Sequence, residues 1–388
     1  MINEENYMRI FKLPALFTAA ALSLPMSVHA SEADLQKQIN ELKSRIEATS
    51  EIVESSTGNS KSHTGNGKTQ IGGYGEMHYN NLSGKGGASD KTELDFHRFV
   101  LFFGHEFSDS IRFFSELEVE HVIAGEGQKG EVELEQAYIE FDINQDHYAK
   151  AGLFLVPVGI VNETHEPPTF YGVERNPIEK NIIPATWWEG GASVSGEFAK
   201  GWSYDVALTS GLDLGTSGTA KVRDGRNKVA SASAESLMTT GRIKWTGIPG
   251  LEIAATLINQ DDYTQGLGTK NAARLIETHA IWHTGSFALR ALYASWDIKG
   301  QTSGYDKQSG FYIEPSFKLS EKVGVFARYN QYDNQAGDSS QKGEKTQTDV
   351  GINYWPHPDV VIKADYQNQS NDNNQDQNGF NIGVGYQF

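Results

Sequence analysis

From Gln70 to Phe388 the sequence is a series of segments with period-two hydrophobicity, joined by connections that alternate strictly between short and long. The short ones read SDS (108–110), NQD (144–146), AKG (199–201), TGIPG (246–250), TGS (284–286), LSE (319–321) and PHP (356–358). Between them lie long polar stretches such as 212–234, 299–308, 334–345 and 370–378. An up-and-down barrel, with tight turns on one rim and loops on the other, has this arithmetic, whereas a soluble sandwich has no reason to sort its connections. The segments fall near 70–81, 92–107, 111–123, 131–143, 147–157, 187–198, 202–211 and 236–246. They continue near 251–261, 272–283, 287–298, 309–318, 322–333, 346–355, 359–369 and 379–388, about sixteen strands in all.

Each segment has one greasy face. Phe99, Leu101 and Phe103 oppose Arg98; Leu117 and Val119 oppose Glu116, Glu118 and Glu120; Val360, Ile362 and Ala364 oppose Lys363 and Asp365. The last segment, GFNIGVGYQF, puts Phe380, Ile382, Val384, Tyr386 and Phe388 on one side and only Gly, Asn and Gln on the other. A terminal apolar face has no use in water, but in a bilayer it meets lipid while the polar faces line an aqueous interior. The residues before the short turns are Phe107, Phe141, Phe198, Trp245, Trp282, Phe317 and Tyr354, and the terminus adds Phe388. All eight share the outward parity, as an aromatic girdle at one membrane interface requires. The expected fold class is therefore an all-β membrane protein, a sixteen-stranded antiparallel transmembrane β-barrel.

Composition excludes other classes. No run of eighteen apolar residues occurs, so a bundle of membrane helices is ruled out. A formal net charge of −17 makes nucleic acid an unfavourable partner. Cys is absent, which suits passage through an oxidising envelope. Residues 1–30 read as a signal peptide, with Arg9 and Lys12 ahead of an apolar stretch and Val28-His29-Ala30 at the cleavage position; translation starting at Met8 fits this pattern. Residues 31–54 space Leu35, Ile39, Leu42, Ile46, Thr49 and Val53 as a heptad seam, expected to be a periplasmic coiled coil. Residues 55–69 are small and polar, a flexible linker, and 70–388 form the barrel.

The terminal GYQF resembles the C-terminal strand of Gram-negative porins. IGGYGEMHY, FHRFVLFFGHEFSDSIRFFSELEVE and AGLFLVPVG followed by a long loop are similar to the phosphate-selective porin O and P family, over residues 70 to 388. The heptad extension is similar to that of trimeric dicarboxylate-type and siderophore-type porins. The resemblance implies an outer-membrane homotrimer of sixteen-stranded barrels, in contact with lipid and lipopolysaccharide, whose third loop folds inward. It also implies a ladder of lumen arginines, for which Arg98, Arg112, Arg242, Arg290 and Arg328 are the candidates here. The chain departs from that pattern in being acidic, with Glu106, Glu116, Glu118, Glu120, Glu140, Asp142, Glu252 and Glu314 set against them.

Such a barrel leaves a channel whose narrowest ring decides flux. The connection from Val161 to Gly191 is too long for a simple crossover and is expected to enter the lumen as the constriction, with Glu163, Glu166, Glu174, Arg175, Glu179 and Lys180 supplying charge. Arg98, Arg112, Glu116, Glu118, Arg242, Arg290, Arg328, Lys363 and Asp365 are expected to line the pore. The expected function is passive diffusion of small hydrophilic solutes or ions, with mild cation preference or little preference. The alternative is an outer-membrane binding or uptake protein for an anion, dicarboxylate or siderophore, or a structural envelope anchor. No enzymatic signature and no cofactor are read. His279 and His283, four apart on a strand, lie roughly 13 Å apart and do not make a metal pair. The SNDNNQDQNG tract at 370–379 reads as a solvated loop rather than a Ca²⁺ site.

Overall fold

The computed structural model describes residues 68–302 and 304–388. The signal peptide, the heptad segment and nearly all of the linker lie outside the described residues. Sixteen antiparallel strands close into one barrel, each paired with its sequence neighbours and β1 paired with β16. They are β1 (Thr69–Lys85), β2 (Lys91–Ser108), β3 (Ile111–Glu120), β4 (Val132–Asp142), β5 (His147–Leu155), β6 (Trp188–Ala199), β7 (Trp202–Thr209) and β8 (Met238–Ile248). The second half comprises β9 (Leu251–Gln260), β10 (Ala273–Thr284), β11 (Phe287–Ile298), β12 (Lys307–Lys318), β13 (Val323–Asp333), β14 (Glu344–His357), β15 (Val360–Asn371) and β16 (Asp376–Gln387).

Closure removes every sheet edge, which lipid requires because it offers no partner to a bare backbone group. The seam is made by the chain terminus itself: Gly73 and Phe388 exchange both backbone bonds, each 2.9 Å. Inside the seam, Asn80 Nδ2 donates to Asn381 Oδ1 at 2.8 Å. The outward faces are bare of protein, as the alternation predicts, with Phe380 63% and Leu257 61% exposed. The eight girdle aromatics all point outward. Several boundaries differ from the sequence reading: β1 runs on to Lys85, not 81, and β3 stops at Glu120, not 123, because His121 and Val122 adopt positive φ (51° and 65°) and break the ladder.

The inward faces differ from the expectation on one side. Ile258 on β9, Ala273 and Leu275 on β10, and Leu292, Ala294, Trp296 and Ile298 on β11 point inward, yet they belong to a dry apolar cluster. An all-polar inner wall was expected. The inward face of β9 to β11 is instead largely apolar towards the long-loop ends, where residues from the connections at 156–187 and 210–237 sit on it.

Candidate functional site

The connection between β5 and β6, residues 156–187, folds into the barrel and touches most of its wall. One face is apolar: Val156, Val158, Ile160, Val161, Ile178, Ile182, Ile183 and Trp187 pack against the inward side of β8 to β12. Full burial of an aliphatic side chain contributes about 1.5–3 kcal/mol, so this face alone anchors the loop firmly. Trp296 Nε1 donates to the Ile182 carbonyl at 2.9 Å, fixing the same face to β11. The opposite edge is tied by polar contacts. Asn353 Nδ2 on β14 donates to the Phe170 carbonyl (3.2 Å), Lys363 Nζ on β15 lies 3.5 Å over the Phe170 ring, and Val173 N donates to Asp365 (2.6 Å). Arg328 on β13 donates to the carbonyls of Tyr171 and Glu174, both at 3.3 Å. His78 on β1 meets Glu174 at 3.3 Å, and His165 meets Glu116 on β3 at 3.1 Å.

The loop also has its own internal frame. Asn162 donates to the carbonyls of Val156 and Trp187 and accepts from Trp187 N, pinning the loop's two ends together. Glu179, in the helical turn Ile178–Asn181, accepts from Ile160 N (2.6 Å), Val161 N (2.7 Å), Asn176 Nδ2 (2.9 Å) and Tyr312 Oη (3.2 Å).

The residues singled out from the sequence separate into three groups. Glu179 is on the wrong side to charge a pore: it is fully buried and serves as an internal hydrogen-bond hub. Arg98, Glu116, Glu118, Arg242, Arg328, Lys363 and Asp365 do face inward but are buried, at 1–7% exposure. Arg112 and Arg290 on the wall, and Glu163, Glu166, Glu174, Arg175 and Lys180 on the loop, keep part of their surface exposed.

The inward arginines are mostly neutralised. Arg98 pairs with Glu76 (2.9 Å) and Glu118 (3.4 Å), and Arg328 pairs with Glu314 (3.2 Å) and Asp349 (3.0 Å). Arg112 pairs with Glu140 (2.8 Å) and Asp142, and Arg242 with Asp205 (2.8 Å) and Glu163. Arg290 is different, donating to the Thr169 carbonyl at 2.9 Å.

A second basic group comes from the long loop 210–237, whose sequence KVRDGRNK at 221–228 is basic. Arg223 donates to the carbonyls of Lys180 (2.9 Å) and Ala185 (3.0 Å), Arg226 donates to the carbonyl of Thr186, and Arg175 donates to Thr186 Oγ1 (2.8 Å). Three guanidinium groups thus converge on one turn of the inserted loop. Burial, with Arg226 and Arg175 alongside, draws Arg223 down to about 10, still charged at neutral pH. Nothing in the residue spacing of 221–228 signalled that it would reach Arg175.

The family profile described as "Phosphate-selective porin O and P" matches residues 70–388, the whole barrel. The chain belongs to the phosphate-selective porin O and P family. An uncharacterized protein of Aquifex aeolicus (strain VF5) is 30% identical to this porin over 360 residues, covering 82% of this chain and 79% of the relative. Among solved structures, the anion-selective porin from Comamonas acidovorans is similar in fold (TM-score 0.60, 13% identity, 83% of this chain and 100% of that one). The outer membrane channel DcaP of Acinetobacter baumannii is another (TM-score 0.58, 12% identity, 85% and 99%). Salmonella typhi OmpF, solved in complex with daunomycin, is a third (TM-score 0.57, 13% identity, 83% and 98%). This porin is an outer-membrane channel for diffusion of solutes, set in the Gram-negative outer membrane.

Proposed function

We propose that this porin passes small hydrophilic solutes or ions through a passage constricted by the inserted loop 156–187, and that it does so without strong phosphate selectivity. The observation that carries the reading is the pairing of Arg98, Arg112, Arg242 and Arg328 with carboxylates, which leaves no unbroken ladder of cations for an anion to descend. The charges left open towards water are of both signs, Glu163, Glu166 and Glu174 against Arg175 and Lys180. Opposed charges across a constriction orient water and favour polar solutes, while their sum biases ion choice only weakly. The reading includes a homotrimer, a periplasmic coiled coil at 31–54 that holds the copies together, and no enzymatic step.

The second reading is uptake of a specific anion. It is favoured by one observation, the convergence of Arg175 and Arg226 on Thr186 and of Arg223 on the neighbouring Ala185 carbonyl. Single-channel recording in planar bilayers separates the two. Under the first reading a KCl gradient gives a reversal potential near zero or slightly towards the potassium potential, and added phosphate leaves the current unchanged. A strongly anion-selective reversal, with block by phosphate or a dicarboxylate, would establish the second reading in its place.

A further inference from the structure

Beneath the inserted loop lies a group of side chains that the conduction reading does not use. Glu116 on β3, Glu135 on β4 and His165 on the loop bring Oε1, Oε2 and Nε2 to within 4.8 Å of one another. All three are nearly sealed from water, at 1%, 2% and 2% exposure. His165 Nε2 is 3.1 Å from Glu116 Oε1 and 3.8 Å from Glu135 Oε2.

The orientation of each group is fixed from behind. His165 Nδ1 lies 3.0 Å from the Asn162 carbonyl, which can only accept, so Nδ1 carries a proton and Nε2 is the ring atom turned towards the carboxylates. Gln136 Nε2 donates to Glu116 Oε2 at 2.7 Å, turning Oε1 towards the histidine. Glu135 Oε2 has no hydrogen-bond partner at all, although it is buried. The Tyr74 hydroxyl, whose ring stands edge-on to His165 at 5.8 Å, is a second buried group without a partner. Neither carboxylate is ion-paired to a lysine or arginine among the described residues. Arg98 is committed to Glu76 and Glu118, and Arg175 donates to the Thr186 hydroxyl and the His165 carbonyl.

Two carboxylates held close together in a dry site, with one oxygen unsatisfied, call for a cation. An imidazole anchored through Nδ1 to a backbone carbonyl beside them is the arrangement in which ligating histidines are held. Ligand atoms about 2.0–2.1 Å from a tetrahedral ion stand about 3.3 Å apart, so the His165 to Glu116 separation fits already and that to Glu135 closes by a small rotation. We propose that Glu116, Glu135 and His165 form a buried site for a divalent transition-metal cation that staples the inserted loop to the β3–β4 wall. The site is closed to the lumen, so its role is structural and independent of which solute the pore conducts.

The test uses the folded full-length barrel in detergent, stripped with chelator, desalted and titrated with Zn²⁺, with bound metal counted by mass spectrometry. Glu135→Gln and His165→Gln remove one ligand each; His97→Gln alters the separate, half-exposed Asp95, His97 and His121 group and serves as control. Heat-modifiable migration on gels checks that each variant is folded. Wild type and His97→Gln should each retain one zinc per barrel, and the two site variants should bind about tenfold or more weakly. No zinc uptake by wild type would mean that a proton on Nε2 balances the carboxylates instead, and would overturn the proposal. Undiminished uptake by both site variants, or loss confined to His97→Gln, would overturn it equally.

Discussion

Gly385 faces inward on β16, and the space its side chain would occupy is held by Pro167 of the inserted loop: a Cβ there would lie 2.2 Å from the Pro167 Cβ. Gly324 on β13 does the same for Tyr171, whose hydroxyl would stand 2.2 Å from an added Cβ. These glycines are bare because the loop rests on them. Replacing Gly385 by Val should force the loop off β16, at an overpacking cost of about 1–3 kcal/mol. The expected outcome is a larger single-channel conductance than wild type, as water enters the vacated space. Gly241, where an added Cβ meets nothing within 4 Å, is the control, and Gly241→Val should leave conductance unchanged. An unaltered conductance in Gly385→Val would mean that this edge of the loop does not limit the passage.

At the level of elements, the inserted loop and the strands depend on different forces. The strands are held by ladders that close on themselves, the loop by its apolar face and a few polar ties. Trp187→Ala removes a fully buried ring from the cluster, at a cost of about 3–5 kcal/mol, without touching any ladder. The barrel should still form, with wild-type heat modifiability, while the segment 156–187 becomes cleavable by protease added to the detergent-solubilised protein. Cleavage within a strand, or loss of the folded band, would show that loop and barrel fold as one unit. The same division explains what could be read from the sequence. All sixteen strands were legible, because period-two alternation and sorted connections are local signals, and even the girdle from Phe107 to Phe388 followed from parity alone. The dry patch on β9 to β11 was not read, although Leu275, Leu292 and Trp296 on the inner parity announce it. The polar-inside rule for barrels hid them, and only the loop that covers them makes them intelligible. Glu179 was misplaced for a related reason, since a carboxylate that caps backbone N–H groups 18 and 19 residues away has no local signature.

For the whole molecule, the question is how a strongly acidic chain with a net charge of −17 distributes its field around one passage. At the mouth, Lys228 bridges Glu131 (2.7 Å) and Glu133 on the β3–β4 side, while Arg175, Arg223 and Arg226 gather at the inserted loop. Within the wall, four arginines are cancelled by their carboxylates. Among the described residues, the net bias on ions therefore depends on the charges without such a partner, and Arg223 and Arg226 of 210–237 are two of them. Exchanging both Arg223 and Arg226 for Glu reverses that group, a change of four charges at one rim. The reversal potential in a KCl gradient should then move towards the potassium potential relative to wild type. The shift should be large at 0.1 M salt, where the screening length is about 10 Å, and should shrink at 1 M, where it is about 3 Å. If the variant's reversal potential matches wild type at 0.1 M, ions do not pass near Thr186, and the controlling charges lie instead at the Arg112 and Arg290 end of the lumen.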